Sequence, residues 1–164
     1  MNFQNFYDQE EWLTLQFGIM WVFRGVAGAD GRIDKDEQRA LTIVVDAADK
    51  FNNSFISELL SSMKTNPGQL FRLSINDPRD FKKGLAEVAE ILDQKASGDD
   101  ALLYKKIITA VGIYVANSSG EMGEKNISEE EVNILSKLSH YLRLSTSDIR
   151  SEPNIESIIR TMLA

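Results

Sequence analysis

The sequence has no cysteine, only one histidine and only three prolines among its 164 residues. Without cysteine the chain can form no disulfide, no thiolate zinc site and no cysteine nucleophile, and we expect it to reside in a reducing compartment, the cytoplasm. We expect no secretory signal, because the opening MNFQNFYDQEEW lacks a basic region followed by an apolar run. No apolar stretch is long enough to predict a membrane span.

The charge is predominantly negative, with 25 acidic and 18 basic residues, a net charge of −7 and a pI near 4.8. This balance argues against nucleic acids and anionic membranes as main partners, because both require basic surfaces. Metal cations and basic protein surfaces remain as partners, and the sequence does not identify a protein partner. The length suits a single domain spanning residues 1–164, which can bury a core without disulfides.

Apolar residues recur at helical spacing along most of the chain, and no stretch shows the alternation of a strand. The sequence therefore predicts an all-α bundle of seven or eight helices. Turn and capping residues divide it into helical segments near residues 10–29, 34–51, 54–64, 69–75, 77–96, 99–117, 128–144, 148 and 155–163.

The chain also repeats a pattern, in which an apolar helix leads through a glycine turn and a capping box into an amphipathic helix. VAGADG at residues 26–31 aligns with VANSSG at 115–120, and IDKDE at 33–37 aligns with ISEEE at 127–131. We therefore predict a pseudo-two-fold bundle of helix hairpins. Its halves would cover approximately residues 8–65 and 99–164, joined by the 77–96 helix.

The first of these corners, VAGADGRIDKDE, resembles the second half of a calcium-binding EF-hand loop. With Gly31 at position 6 of such a loop, Asp30, Asp34 and Glu37 occupy the ligand positions 5, 9 and 12. Positions 1 and 3, however, fall on a valine and a glycine, whose side chains cannot bind a cation. The sequence therefore predicts a corner between two helices rather than an EF-hand.

Capping explains part of the acidic cluster at this corner, since Asp34 and Glu37 form a D-x-x-E capping box. Capping does not require Asp30 or Asp36, and crowded carboxylates resist ionising together, which a divalent cation would relieve. We therefore predict a metal site with Asp30, Asp34 and Glu37 as ligands, and Asp36 and Glu131 as weaker candidates. The ligand set leaves Ca²⁺, Mg²⁺ and Zn²⁺ open, and no organic cofactor is indicated.

A buried helix ending in ADG, an isoleucine two residues beyond the glycine and D-x-x-E at the next helix together resemble the TerB-like tellurite-resistance family. A related domain occurs in the membrane co-chaperone DjlA. The matching positions are Asp30, Gly31, Asp34 and Glu37, with Gly120 and Glu131 in the second corner. The second corner has Ser119 and Ser128 in place of Asp30 and Asp34, so a metal site should favour the first corner.

The resemblance implies a compact bacterial helical domain with an acidic surface proposed to hold metal. It also implies a role in tellurite and other stress responses and no established enzymatic activity. On the basis of this resemblance we expect a stress-response binding or scaffold domain. The alternative is a pure protein–protein interaction domain without metal, in which the acidic residues only cap helices.

Other candidates have simpler structural explanations. The lone His140 lies off the apolar face of its helix, and the sequence contains no nucleophile turn such as G-x-S-x-G for which it could act as a base. We therefore predict a surface position and no catalytic role.

Arg24 lies within an apolar helix and should pair with Asp46 or Asp49. The aromatic residues near the N-terminus, including Trp12 and Trp21, should be core; an exposed part would form a protein-binding groove or a homodimer face.

Overall fold

The computed structural model describes residues 2–27, 35–118 and 129–164, except for six side chains at helix ends, at positions 27, 36, 37, 118, 130 and 131. Within these residues the chain is all-α, as predicted, with a short 3₁₀ helix at Phe3–Phe6 before the α-helices. The α-helices are α1 (Gln9–Ala27), α2 (Lys35–Asp46), α3 (Ser54–Ser62), α4 (Pro67–Asn76), α5 (Phe81–Lys95), α6 (Gly98–Ser118), α7 (Glu129–Leu142), α8 (Thr146–Arg150) and α9 (Ile155–Leu163).

Helices α1 and α6 form the centre of the core. The second half of α6 is apolar on nearly all sides, which predicts burial on most sides, and residues 104–113 are all buried. Along α1 the aromatic residues Trp12, Phe17, Trp21 and Phe23 are at most 3% exposed, which confirms their assignment to the core. The remaining helices pack around this central pair.

Helices α1 and α6 run parallel to each other. The Tyr104 hydroxyl donates a hydrogen bond to the Leu15 carbonyl at 2.5 Å, near the start of both helices. Two turns further on, a Cβ atom built at Gly112 would lie 3.2 Å from a methyl group of Val22. The contact of Leu15 with Tyr104 is followed along both helices by the contact of Val22 with Gly112. The C-terminal ends of α1 and α6 therefore lie at the same end of the molecule.

Helix α5 runs antiparallel to α1 on another side. Gly25 lies against Phe81 at one end of the pair, and Gly84 lies against Trp21 further along. At the other end, Lys95 forms an ion pair with Glu11 at 2.5 Å. The small glycines allow the two helices to approach closely at the aromatic rings.

The start of α5 differs from the prediction. The sequence predicts a helical segment at 77–96, but α5 begins only at Phe81, and Asp80 caps it by accepting a hydrogen bond from the Lys83 N–H at 2.8 Å. The Asp77 carboxylate instead accepts hydrogen bonds from the Arg79 backbone N–H (2.9 Å) and Nε (2.8 Å). The tertiary position of Arg79 therefore keeps this segment out of the helix.

Within the described parts of the chain, no helix is long and apolar enough to cross a membrane. The division of the chain into two pseudo-symmetric halves stays a prediction.

Candidate functional site

The predicted metal ligands lie outside what the structure describes. Asp30 and Asp34 fall in the segment 28–34, and the side chains of Asp36, Glu37 and Glu131 are likewise not described. Among the described residues, no group of three or more His, Asp or Glu side chains is arranged to hold a metal ion. The metal site therefore stays a prediction from the sequence.

The described helices nevertheless show where two acidic sequence segments, residues 28–37 and 119–131, begin. Ala27 ends α1 five residues beyond Val22, and Ser118 ends α6 six residues beyond Gly112. At a rise of about 1.5 Å per residue, the two parallel helices extend by nearly equal lengths beyond their contact. Both acidic segments therefore start at the same end of the bundle, which we call the acidic end.

The two sequence segments that start at the acidic end account for most of the net charge of the protein. Residues 28–37 and 119–131 contain nine of the 25 acidic residues and three of the 18 basic residues, a net charge of −6. The full chain has a net charge of −7, so the remaining residues carry a net charge of only −1. The negative charge is thus concentrated in 23 residues that flank one end of the parallel helix pair.

Arg24 lies in the last turn of α1, close to the acidic end. Its Nη1 donates a hydrogen bond to the carbonyl of Ser74 at 3.0 Å, while its buried Nε has no partner among the described residues. Among the ion pairs between described residues, none joins Arg24 to Asp46 or Asp49, so the predicted pairing is wrong. The Arg24 Nη1 bonds to a carbonyl near the end of α4 instead, because α4 packs directly against α1.

A cavity of about 380 Å³ lies between the end of α5, the start of α6 and the segment that follows α7. We call it the Lys105 pocket. Its apolar lining includes Leu92, Ala96, Ala101, Leu102 and Leu144, and its charged lining consists of Asp93, Lys105, Arg143 and Asp148.

Arg143 occupies an unusual backbone conformation at this pocket. Its φ is 60°, and the Leu144 N–H donates to the Ser139 carbonyl at 2.8 Å, which together define a helix C-cap that favours glycine. An L-residue there costs about 1–2 kcal/mol. The ion pair of Arg143 with Asp93 spans 3.5 Å with side chains 55% and 40% exposed, so it contributes only about 0–1 kcal/mol. Stability alone does not explain an arginine at this position.

The two carboxylates of the Lys105 pocket already have partners. Asp93 accepts from the Lys105 Nζ at 2.7 Å, and Asp148 accepts from the Ser145 N–H at 2.9 Å. The Ser145 backbone bond is the main reason that the pKa of Asp148 is lowered. Lys105 is 5% exposed, and among the described residues its Nζ donates one hydrogen bond, to Asp93, of the three that an ammonium group can donate.

The neighbouring Lys106 is 1% exposed, and its Nζ donates to the carbonyl and the hydroxyl of Ser151, at 3.1 and 3.0 Å. Burial lowers its pKa, and the negative charges of Asp148 and Glu152 partly oppose this shift. Sequence reasoning missed both buried lysines. Their signal was the pair KK at the start of the otherwise apolar run IITAV in α6.

A second cavity, of about 420 Å³, lies beside the turn between α2 and α3, but its carboxylates have partners within the chain. Asp49 accepts from the Ser57 hydroxyl at 2.7 Å. Glu58 accepts from the backbone N–H groups of Phe3 (3.0 Å) and Gln4 (2.7 Å). These contacts attach the N-terminal segment to α3, so we assign them a structural role.

His140 is exposed on α7, as predicted, and its ring lies 5.9 Å from that of Tyr141.

Comparison of the chain with known proteins found no match among family models, curated proteins or solved structures. The functional argument therefore depends on the charge distribution, the pockets and the sequence motif of the first corner.

Proposed function

We propose that this chain is a TerB-like binding or scaffold domain of the bacterial stress response whose acidic end holds a divalent cation. Asp30, Asp34 and Glu37 would supply carboxylate oxygens, and Asp36 and Glu131 are the weaker candidates. We place the domain in the cytoplasm on the basis of its cysteine-free composition. We assign it no catalytic activity.

The observation that carries this proposal is that α1 and α6 end at the same end of the bundle and lead into two sequence segments, residues 28–37 and 119–131, with a combined net charge of −6. Carboxylates that converge on one surface repel each other, and each remains ionised at a cost unless a cation is near. Oxygen ligands of this kind suit hard cations such as Ca²⁺ and Mg²⁺. A bound divalent ion would offset much of this repulsion.

Isothermal titration calorimetry with Ca²⁺, Mg²⁺, Mn²⁺ and Zn²⁺ tests the proposal. We expect at least one of these ions to bind with measurable heat. An ion present at 100 times its dissociation constant stabilises the fold by about 2.7 kcal/mol. For a chain of this length, that corresponds to an increase in the melting temperature of roughly 5–11 °C.

The variants Asp30→Asn and Asp34→Asn should each weaken binding at least tenfold. Asparagine retains the oxygen that caps a helix, so Asp34→Asn removes the charge while keeping the predicted cap. The matched control is Asp8→Asn, because Asp8 caps α1 by accepting from the Glu11 N–H at 2.8 Å at the opposite end of that helix. The control should bind the ion with unchanged affinity.

If no ion produces heat or a thermal shift at millimolar concentration, the ligand role is wrong. The same charge concentration would then favour the second candidate, a docking surface for a basic protein partner. Electrostatic complementarity of this kind accelerates association and is strongly screened by salt. The stress-response part is tested separately, by comparing tellurite tolerance of bacteria that express the wild type or the Asp30→Asn variant.

A further inference from the structure

We propose that the Lys105 pocket binds a small organic monocarboxylate with an apolar body. The pocket lies far from the acidic end, because Lys105 precedes Ser118 by thirteen residues of α6, about 20 Å along the helix. This site is therefore independent of the metal proposal. Its volume of about 380 Å³ falls in the range of small-molecule sites.

The first argument is the surplus of hydrogen-bond donors. Lys105 and Arg143 present more N–H groups than Asp93 can accept, and Asp148 is engaged by the backbone of Ser145. A carboxylate matches the planar donor geometry of a guanidinium and can also accept from an ammonium group. A ligand carboxylate at the mouth of the pocket would accept hydrogen bonds from both side chains.

The second argument is the backbone of Arg143. Its φ of 60° belongs to a helix C-cap where glycine is favoured, and its exposed ion pair with Asp93 does not compensate for the strain. Strained residues of this kind cluster at functional sites, where the side chain is needed in that place. The position of Arg143 at the pocket is thus better explained by ligand binding than by stability.

The charge and the lining select the ligand class. Lys105 and Arg143 are balanced by Asp93 and Asp148, so the pocket has no net charge and would resist a dianion such as a phosphate monoester more strongly than a monoanion. Leu102 and Leu144 line the same cavity and would contact the apolar body of the ligand. A carboxylate on an aromatic or aliphatic body of modest size meets both conditions.

The test is a titration of the ¹⁵N-labelled protein with sodium benzoate, monitored by amide chemical shifts, with benzamide as the uncharged analogue. We expect saturable shifts at Gly98, Ala101 and Leu144, and binding of benzamide at least tenfold weaker. The decisive variant is Arg143→Gly, because glycine suits the backbone at this position and should preserve or raise stability. It should nevertheless weaken benzoate binding at least tenfold, whereas Lys137→Gln, an exposed charge on α7 outside the pocket, should leave it unchanged.

Three results would overturn the proposal. The first is benzoate shifts that do not saturate, and the second is equal affinity for benzoate and benzamide. The third is an Arg143→Gly variant that remains folded and binds benzoate as tightly as the wild type.

Discussion

Replacing Gly84 by alanine tests the close packing of α5 on α1. A Cβ atom at this position would lie 2.5–2.7 Å from three ring atoms of Trp21, well inside van der Waals contact. The ring cannot move aside freely, because the Arg79 guanidinium lies 4.9 Å from its centroid and the Phe17 ring packs edge-on at 5.5 Å. The added methyl group must therefore displace a helix or force the indole out of its favoured rotamer.

Two opposing effects determine the size of the change. Alanine gains about 1 kcal/mol over glycine in a helix interior. Overpacking a close-packed core costs typically about 1–3 kcal/mol, and the rigid indole places this site near the upper limit. We therefore expect Gly84→Ala to lower the free energy of unfolding by about 2 kcal/mol, which corresponds to a decrease in melting temperature of roughly 4–8 °C.

The assay is urea unfolding followed by tryptophan fluorescence and by far-ultraviolet circular dichroism, since both tryptophans are buried. The matched control is Gly98→Ala at the start of α6, where an added Cβ meets no atom within 4 Å. This control should be as stable as the wild type or up to about 1 kcal/mol more stable. A Gly84→Ala protein as stable as the wild type would refute the close α1–α5 contact.

Two further predictions concern pH. The hydrogen bond from Arg79 lowers the pKa of Asp77, so the stability from this pair is present above the unfolded pKa near 4 and is lost as the pH falls through the folded pKa. The Asp77→Asn variant should therefore lose less stability than the wild type as the pH falls below 4, as measured by urea unfolding. Equal losses in the two proteins would contradict this. Burial lowers the pKa of Lys106, so the wild type should gain stability relative to Lys106→Met as the pH rises through the folded pKa towards 10.5. The raised pKa of Tyr7, about 12, acts in the opposite direction above pH 10 but is common to both proteins, so parallel pH profiles would disprove the role of Lys106.

Local patterns were sufficient to predict most of the fold. The apolar periodicity gave α9 its correct limits, Ile155–Leu163, and the apolar second half of α6 predicted its burial. The start of α5 was missed because Asp77 is held by Arg79, whose place over Trp21 depends on a contact between helices. Sequence spacing alone could not anticipate this contact.

The pairing of Arg24 could not be derived for a similar reason. Its partner, the Ser74 carbonyl, comes from a helix 50 residues away in the sequence, and backbone carbonyls carry no sequence signal. The Lys105 pocket combines side chains from α5, α6, α8 and the segment after α7, so it exists only in the folded chain. The left-handed conformation of Arg143 was equally hidden, because no glycine marks the end of α7.

The parallel arrangement of α1 and α6 changes the interpretation of the two acidic corners. The sequence identified both corners and favoured the first, since Ser119 and Ser128 replace two of its aspartates. It did not indicate that the helices leading into them run side by side in the same direction. This arrangement is the reason that we treat the two segments as one acidic end.

The most direct test of the central claim is a Mn²⁺ titration of the ¹⁵N-labelled protein, in which the paramagnetic ion broadens the amide signals nearest to it. We predict that substoichiometric Mn²⁺ broadens the signals of Val26 and Asn117 together, because these residues lie near the ends of α1 and α6. The signals of Gln9 and Gly98, about 26–29 Å away at the other ends of these helices, should remain sharp. The absence of broadening, or broadening that starts at Gln9 and Gly98, would contradict the proposed cation site at the acidic end.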